Sequence, residues 1–211
     1  MMTKAAMQYF DLTGRSALIT GATRGIGFGL AAGLAKAGAK IILNGRNSEK
    51  LAEATDRLRL QDVFAQTLCF DVRDQPAVQK AINNYESADG PIDILINNAG
   101  IQHRQSLEDF SSDKFQDVMN TNATALFYLG QAVTRHMKQR GQGKIINIAS
   151  IMTKMARHHV GAYVTAKAAV GGLTRAMTAE WAAYGINCNA IGPGYISCLL
   201  YTSDAADEKR C

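Results

Sequence analysis

The sequence predicts an α/β fold: one domain built on a doubly wound parallel sheet of six strands with helices on both faces. Three observations carry that expectation. Short aliphatic and β-branched runs alternate with longer helical stretches along most of the 211 residues. The strand candidates are near-continuous apolar runs, the pattern of strands buried on both faces. Turn residues punctuate the boundaries: Gly38 follows a helix, Gly90 and Pro91 precede a strand, and Gly141 to Gly143 precede the next.

Taken in order, the apolar run Ser16 to Thr20 is the first strand, and a glycine-rich turn leads from it into a helix over 25–37. A strand over 40–44 is followed by a helix over 48–60, a strand over 66–70 by a helix over 75–85, and a strand over 93–97 by one long helix over 112–140. A strand over 144–149, a helix over 160–183 and a strand over 187–191 complete the series. No internal repeat or low-complexity linker divides the chain.

Composition excludes several classes of function. With 47% hydrophobic and 19% charged residues the chain is an ordinary globular one, and its longest apolar runs, such as Ile94 to Ile96, fall far short of the roughly 20 residues of a membrane span. Met1 to Phe10 has no leader pattern, and four scattered cysteines without paired spacing suit neither a disulfide framework nor a zinc site. A cytoplasmic protein is expected. The net charge of +5 is spread along the chain, so no nucleic-acid partner and no membrane partner is expected.

The stretch 198–208 resembles a translated transposase sequencing adaptor. Residues 198–211 are therefore expected to be read-through, and the native domain to occupy 1–197, incomplete at its C-terminal end. Setting the segment aside removes two basic and three acidic residues, which leaves +6 and changes nothing above.

The turn after the first strand carries Gly21, Thr23, Arg24, Gly25, Ile26 and Gly27. Glycines at 21, 25 and 27 let the backbone turn tightly and approach a pyrophosphate seated on the N–H groups of the helix start, although the spacing is GxxxGxG rather than GxGxxG. This makes the fold Rossmann-type. At the end of the second strand an NAD site would place an acidic residue. Here the chain reads Asn44-Gly45-Arg46-Asn47, with no carboxylate. Arg46 suits a 2′-phosphate and Arg24 supplies a second cation, so NADP(H) is the expected cofactor; the alternative is that Arg46 is a solvated loop residue.

Tyr163 and Lys167 stand four residues apart on a helix, which puts phenol and ammonium on one face, one turn apart. A nearby cation lowers a phenol pKa that starts near 10. Ser150 follows the fifth strand, thirteen residues before Tyr163, within reach of the phenol.

With these residues in place, the chain resembles the classical short-chain dehydrogenase/reductase family over Leu12 to Ser197: Thr20 to Gly27, Asn97-Asn98-Ala99-Gly100 after the fourth strand, and Ser150 with Tyr163 and Lys167. Asp71 and Val72 match the family position beside the adenine ring, and Pro193, Gly194 and Ile196 the loop beside the nicotinamide. The resemblance implies that Tyr163 is the general acid/base, that Lys167 lowers its pKa and binds the nicotinamide ribose, that Ser150 orients the carbonyl, and that Asn122 anchors a relay water. Asn98, Ala99 and Gly100 would join the cofactor site. Asn122 could instead be a buried helix residue bonded to backbone, and Asn120 is close by.

Within the family, Asn44-Gly45-Arg46-Asn47, Gly100-Ile101-Gln102-His103-Arg104 and the stretch 131–137, with Gly192 to Tyr195 less diagnostic, look like gluconate 5-dehydrogenases, enzymes of carbohydrate metabolism. Those more often have Arg at the place of His103 and Cys at the place of Ala149. The expected reaction is D-gluconate to 5-keto-D-gluconate and back. A sugar acid needs a cation for its carboxylate, and Arg104 and Arg157 are the candidates, with plain surface charge as the alternative. The neighbouring His158 and His159 lack metal-ligand spacing, and no metal is expected. Alternatives for function are reduction of another carbonyl, such as a 3-oxoacyl carrier protein, or a non-catalytic NADP(H) sensor.

The resemblance also implies a seventh edge strand and a substrate lid beyond the proline-glycine loop, which this chain is expected to lack, leaving the sixth strand as an exposed edge. It implies a homotetramer for the intact protein, with the helices over 112–140 and 160–183 in the dimer contacts.

Overall fold

Ala17 and Ile19 of β1 (Ser16–Ile19) point to one face of a sheet and Leu18 to the other, the period-two consequence of an extended backbone, and each side chain finds a separate core. The computed structural model describes residues 10–194. It contains β2 (Lys40–Gly45), β3 (Ala65–Cys69), β4 (Ile94–Asn97), β5 (Gly143–Ile148) and β6 (Ile186–Ile191), all parallel, in the order β3-β2-β1-β4-β5-β6. The central strands β1 and β4 are buried throughout. The outer strands β3 and β6 are not the continuous apolar runs the sequence suggests: β3 has no fully buried residue, and in β6 the buried Ile186 and Cys188 alternate with the exposed Asn187 and Asn189.

On one face α1 (Gly25–Lys36) and α2 (Ser48–Arg59) cover Ala17, Ile19, Ile41, Leu43, Ile94 and Ile96. On the other, α3 (Gln75–Ala88), α5 (Ala125–Arg140) and α6 (Gly161–Trp181) cover Leu18, Ile42, Leu95 and Ile145. Local chemistry sets the helix ends. Asn47 caps α2 by accepting from the Lys50 N–H at 2.8 Å, Asp74 caps α3 by accepting from Ala77 at 3.0 Å, and Gly141 closes α5 with φ +66°.

One helical stretch departs from expectation as well. The stretch 112–140 is not a single α-helix. It comprises α4 (Ser112–Met119), a π-helical turn over Asn120–Thr124, and α5. Asn120, Thr121 and Asn122 are weak helix formers, and the extra residue that a π-turn accommodates swings Asn122 inward, where it is fully buried.

The order of strands reverses between β1 and β4, so their C-terminal ends splay apart and open a crevice. The segments that follow β1, β4 and β5 all lie around it. Among the described residues no helix is long and apolar enough to cross a membrane.

Candidate functional site

The crevice is stitched across its floor. The Thr20 hydroxyl accepts from the backbone N–H of Asn98 at 3.0 Å and of Ala99 at 3.1 Å, and the Asn98 amide donates back to the carbonyls of Thr20 at 2.9 Å and Gly21 at 3.1 Å. The turn after β1 and the turn after β4 thereby form one plate. Asn98 and Ala99, expected at a cofactor, spend these groups on holding the glycine turn. Gly100 lies beyond them, 3.4 Å from Asn122 Oδ1 measured from where a Cβ would stand.

Gly25 takes φ +58° with open space around it, so conformation rather than room demands glycine there. At Gly27 the constraint is room: a Cβ would meet Asn98 Nδ2 at 2.5 Å. Arg24, at the N-cap of α1, makes no side-chain cap, and the first turn carries no acidic residue, so the N–H groups of that turn are presented to an anion. Thr23 and Ile26 are half-buried along the same turn.

At the end of β2, Gly45 lets the strand pass within 3.0 Å of Thr23 Cγ2, measured from the place of a Cβ. Arg46 is exposed, and its neighbour Asn47 is occupied as the cap of α2. Asp71 is gripped by Arg73, whose Nη2 donates to Oδ2 at 2.7 Å and whose backbone N–H donates to Oδ1 at 2.9 Å. Those bonds, and to a smaller extent the nearby Arg46 charge, hold the Asp71 carboxyl below the usual carboxylate range. Val72 packs its side chain into the core, which leaves its main chain for a ligand.

At the other end of the crevice, Ser150, Tyr163, Arg104, Arg157, Pro193 and Gly194 line a single cleft together with Gln102 and His158. Tyr163 and Lys167 stand one turn apart on α6, as the sequence implies, with Lys167 Nζ 5.6 Å from the centre of the Tyr163 ring. Lys167 is buried and donates to the Ile148 carbonyl at 2.5 Å. Desolvation pulls its pKa down to about 8. The Ser150 hydroxyl accepts from the Met152 N–H at 3.2 Å, which leaves its own proton to donate into the cleft.

The Asn122 amide is committed at both ends: Oδ1 accepts from Ile101 N–H and Nδ2 donates to the Ile101 carbonyl, each at 2.8 Å. The side chain therefore clamps the segment after β4. Asn120 bonds outward to Gln116. His103 packs edge-on to Phe110 with ring centres 5.5 Å apart. Ile196 and the stretch 198–211 lie outside the described residues. Among the described residues no group of three or more His, Cys, Asp or Glu side chains is arranged to hold a metal ion.

Sequence reasoning missed a buried polar chain beneath the site. Asn97 Nδ2 donates to Asn147 Oδ1 at 2.8 Å, Asn147 Nδ2 donates to the Thr174 hydroxyl at 2.9 Å, and Thr174 donates to the Val170 carbonyl at 2.7 Å. It ties β4, β5 and α6 together below Ser150 and Lys167. The available signal was an asparagine in the apolar run of each of two strands, Asn97 at the end of β4 and Asn147 inside β5.

The short chain dehydrogenase family profile matches residues 15–209. Gluconate 5-dehydrogenase of Gluconobacter oxydans (strain 621H) is 47% identical over 200 residues, which span 95% of this chain and 78% of that protein. The 5-keto-D-gluconate 5-reductase of Escherichia coli (strain K12) is 41% identical over 199 residues, or 94% and 78%. Among solved structures, a gluconate 5-dehydrogenase from Burkholderia cenocepacia J2315 in complex with NADP and tartrate superposes with a TM-score of 0.92 at 46% identity, covering 96% of this chain and 80% of that one.

Proposed function

The chain belongs to the short-chain dehydrogenase family, and on that premise we propose that it is an NADP(H)-dependent oxidoreductase interconverting D-gluconate and 5-keto-D-gluconate. One observation carries the reading. A tyrosine and a hydroxyl donor, Tyr163 and Ser150, share a cleft with two arginines, while a buried ammonium stands one turn from the tyrosine. That set serves a carbonyl at one end of a small molecule and a carboxylate at the other.

The residues present fit NADP(H). The uncapped first turn of α1 and the open space at Gly25 suit a pyrophosphate, and the end of β2 offers Arg46 and Gly45 where a carboxylate would repel a 2′-phosphate. Bound there, the nicotinamide supplies or accepts the hydride at the substrate carbon.

In the reducing direction the Tyr163 hydroxyl donates its proton to the ketone oxygen while the Ser150 O–H donates a hydrogen bond to the same oxygen. Oxidation runs the steps backwards, with the Tyr163 oxygen taking the alcohol proton. The Lys167 ammonium favours the phenolate and so lowers the pKa of Tyr163, and its bond to Ile148 fixes it in place. Arg104 and Arg157 hold the carboxylate that a sugar-acid substrate carries. Asn122 holds the segment after β4, so any water kept at that position would take its main-chain carbonyl. The exposed Phe127 supports the reading that α5 carries subunit contacts.

The test is NADPH oxidation with 5-keto-D-gluconate by the unaltered chain and by Tyr163→Phe. We expect turnover in the first and loss of turnover with retained NADPH binding in the second. Turnover of a 3-oxoacyl thioester in preference to the keto acid would overturn the substrate, and tight NADPH binding with no turnover of any carbonyl would favour a sensor.

A further inference from the structure

Arg104 and Arg157 reach the cleft from loops far apart in sequence, the segment 101–111 between β4 and α4 and the segment 151–160 between β5 and α6. These loops are fastened to each other at two points, neither of which lines the cleft. At the first, the Gln105 N–H donates to the His159 carbonyl at 3.0 Å. His159 holds φ +61°, one of two non-glycine residues with positive φ among those described, in a region that a residue with a Cβ enters at a cost. At the second, Leu107 lies on Gly161. A Cβ on Gly161 would stand 2.3 Å from Leu107 Cδ2 and 3.0 Å from its Cγ.

Two features mark the second contact as more than incidental. Leu107 is 68% exposed, an apolar side chain kept largely in solvent. Gly161 is the first residue of α6, without positive φ, so its backbone conformation does not call for glycine. What stands against a side chain there is Leu107. Gln105 is itself the knot of its loop: its amide donates to the Asp109 carbonyl at 2.5 Å and accepts from the Ser111 N–H at 3.3 Å. The loop therefore docks as a folded unit on the first turn of α6, and Tyr163 is two residues along.

We infer that Gln105 and Leu107, seated on His159 and Gly161, form a latch that fixes the spacing between Arg104 and Arg157 and so selects substrates whose carboxylate stands at the matching distance from the reacting carbonyl. The four are positioning residues. The inference rests on the proposed function in taking the arginines as the carboxylate site.

The test is a double-mutant cycle of Gly161→Ala and Leu107→Ala with three readouts: KM for 5-keto-D-gluconate, KM for NADPH, and hydrogen exchange of the Gln105 amide. Gly161→Ala, whose methyl displaces the end of the exposed Leu107 side chain from its seat, should raise KM for the keto acid about threefold, as Leu107→Ala should, and leave KM for NADPH within about twofold, and the double variant should fall well short of the product of the single effects. Exchange at the Gln105 amide should speed up in each single variant and no further in the double variant. Multiplicative effects, an equal rise of KM for a neutral ketone, or unchanged exchange at Gln105 would each overturn the latch. If the unaltered protein does not turn over 5-keto-D-gluconate, the functional reading fails, while the exchange measurement still decides whether the loops are latched.

Discussion

Lys167 places its ammonium 5.6 Å from the centre of the Tyr163 ring while donating to the Ile148 carbonyl, so one buried cation ties the helix bearing the phenol to the strand that leads to Ser150. Burial brings its pKa from the ordinary 10.5 to about 8. A shift of that size corresponds to a penalty of about 3 kcal/mol for keeping the charge indoors. Below pH 8 the lysine is charged in both the folded and the unfolded chain, and the penalty is present in full. From about pH 8 to 10.5 the folded chain loses the proton first, so stability rises with pH across that window. Lys167→Met should therefore stabilise the protein at pH 7 by about 2 kcal/mol after the bond to Ile148 is lost, with the gain fading by about pH 10. NADPH oxidation should fall by at least about a hundredfold, since the phenol loses its cation. Denaturant unfolding at the two pH values measures the first effect, and an unchanged midpoint at pH 7 would count against it.

Arg46 is the charge expected to read the cofactor's 2′-phosphate. Replacing it with Ala should raise KM for NADPH by about tenfold, equivalent to about 1.4 kcal/mol, and leave KM for NADH unchanged. Parallel steady-state assays with the two cofactors check this, and an equal effect on both would place the 2′-phosphate elsewhere.

The glycines of the first turn should separate by cause. Gly27→Ala drives a methyl into the Asn98 amide and should cost about 1–3 kcal/mol of stability while disturbing the plate that carries the cofactor. Gly25→Ala meets no atom and should cost only about 1 kcal/mol, from its left-handed conformation. Thermal unfolding and NADPH titration of both variants would rank them.

Asn122→Ala should cost about 2 kcal/mol, because both Ile101 backbone groups lose a partner that partial exposure only in part replaces with water. Asn122→Asp keeps the acceptor for the Ile101 N–H but sets a fully buried carboxylate against the Ile101 carbonyl, and should cost more than Asn122→Ala at pH 7. A smaller loss than that of Asn122→Ala in unfolding experiments would argue that the acceptor carries the clamp.

The chain displayed in its sequence whatever is written locally. The alternation of apolar runs and helices gave all six strands to within a residue or so, and the glycine turn and the Tyr163–Lys167 spacing fall where the sequence places them. What it concealed depends on register and tertiary packing. The π-turn at Asn120–Thr124 escaped because the apolar pattern continues on both sides, and one added residue leaves no mark on composition. The pairing of Asn97 with Asn147 requires knowing that β4 and β5 are neighbours in that register. The Leu107–Gly161 contact joins two loop ends that have no signature of their own. Arg73 was equally hidden, since its grip on Asp71 is a matter of local loop geometry.

The Thr20–Asn98 plate has a kinetic consequence. Its four hydrogen bonds exist within the polypeptide itself, so the surface that meets a dinucleotide is already shaped when the dinucleotide arrives. Docking onto a finished surface is limited by encounter rather than by rearrangement, and encounter between a cationic rim and a polyanion is accelerated by long-range attraction. Added salt should then slow cofactor arrival steeply and alter its departure much less, the behaviour of a rigid socket rather than of a closing hand.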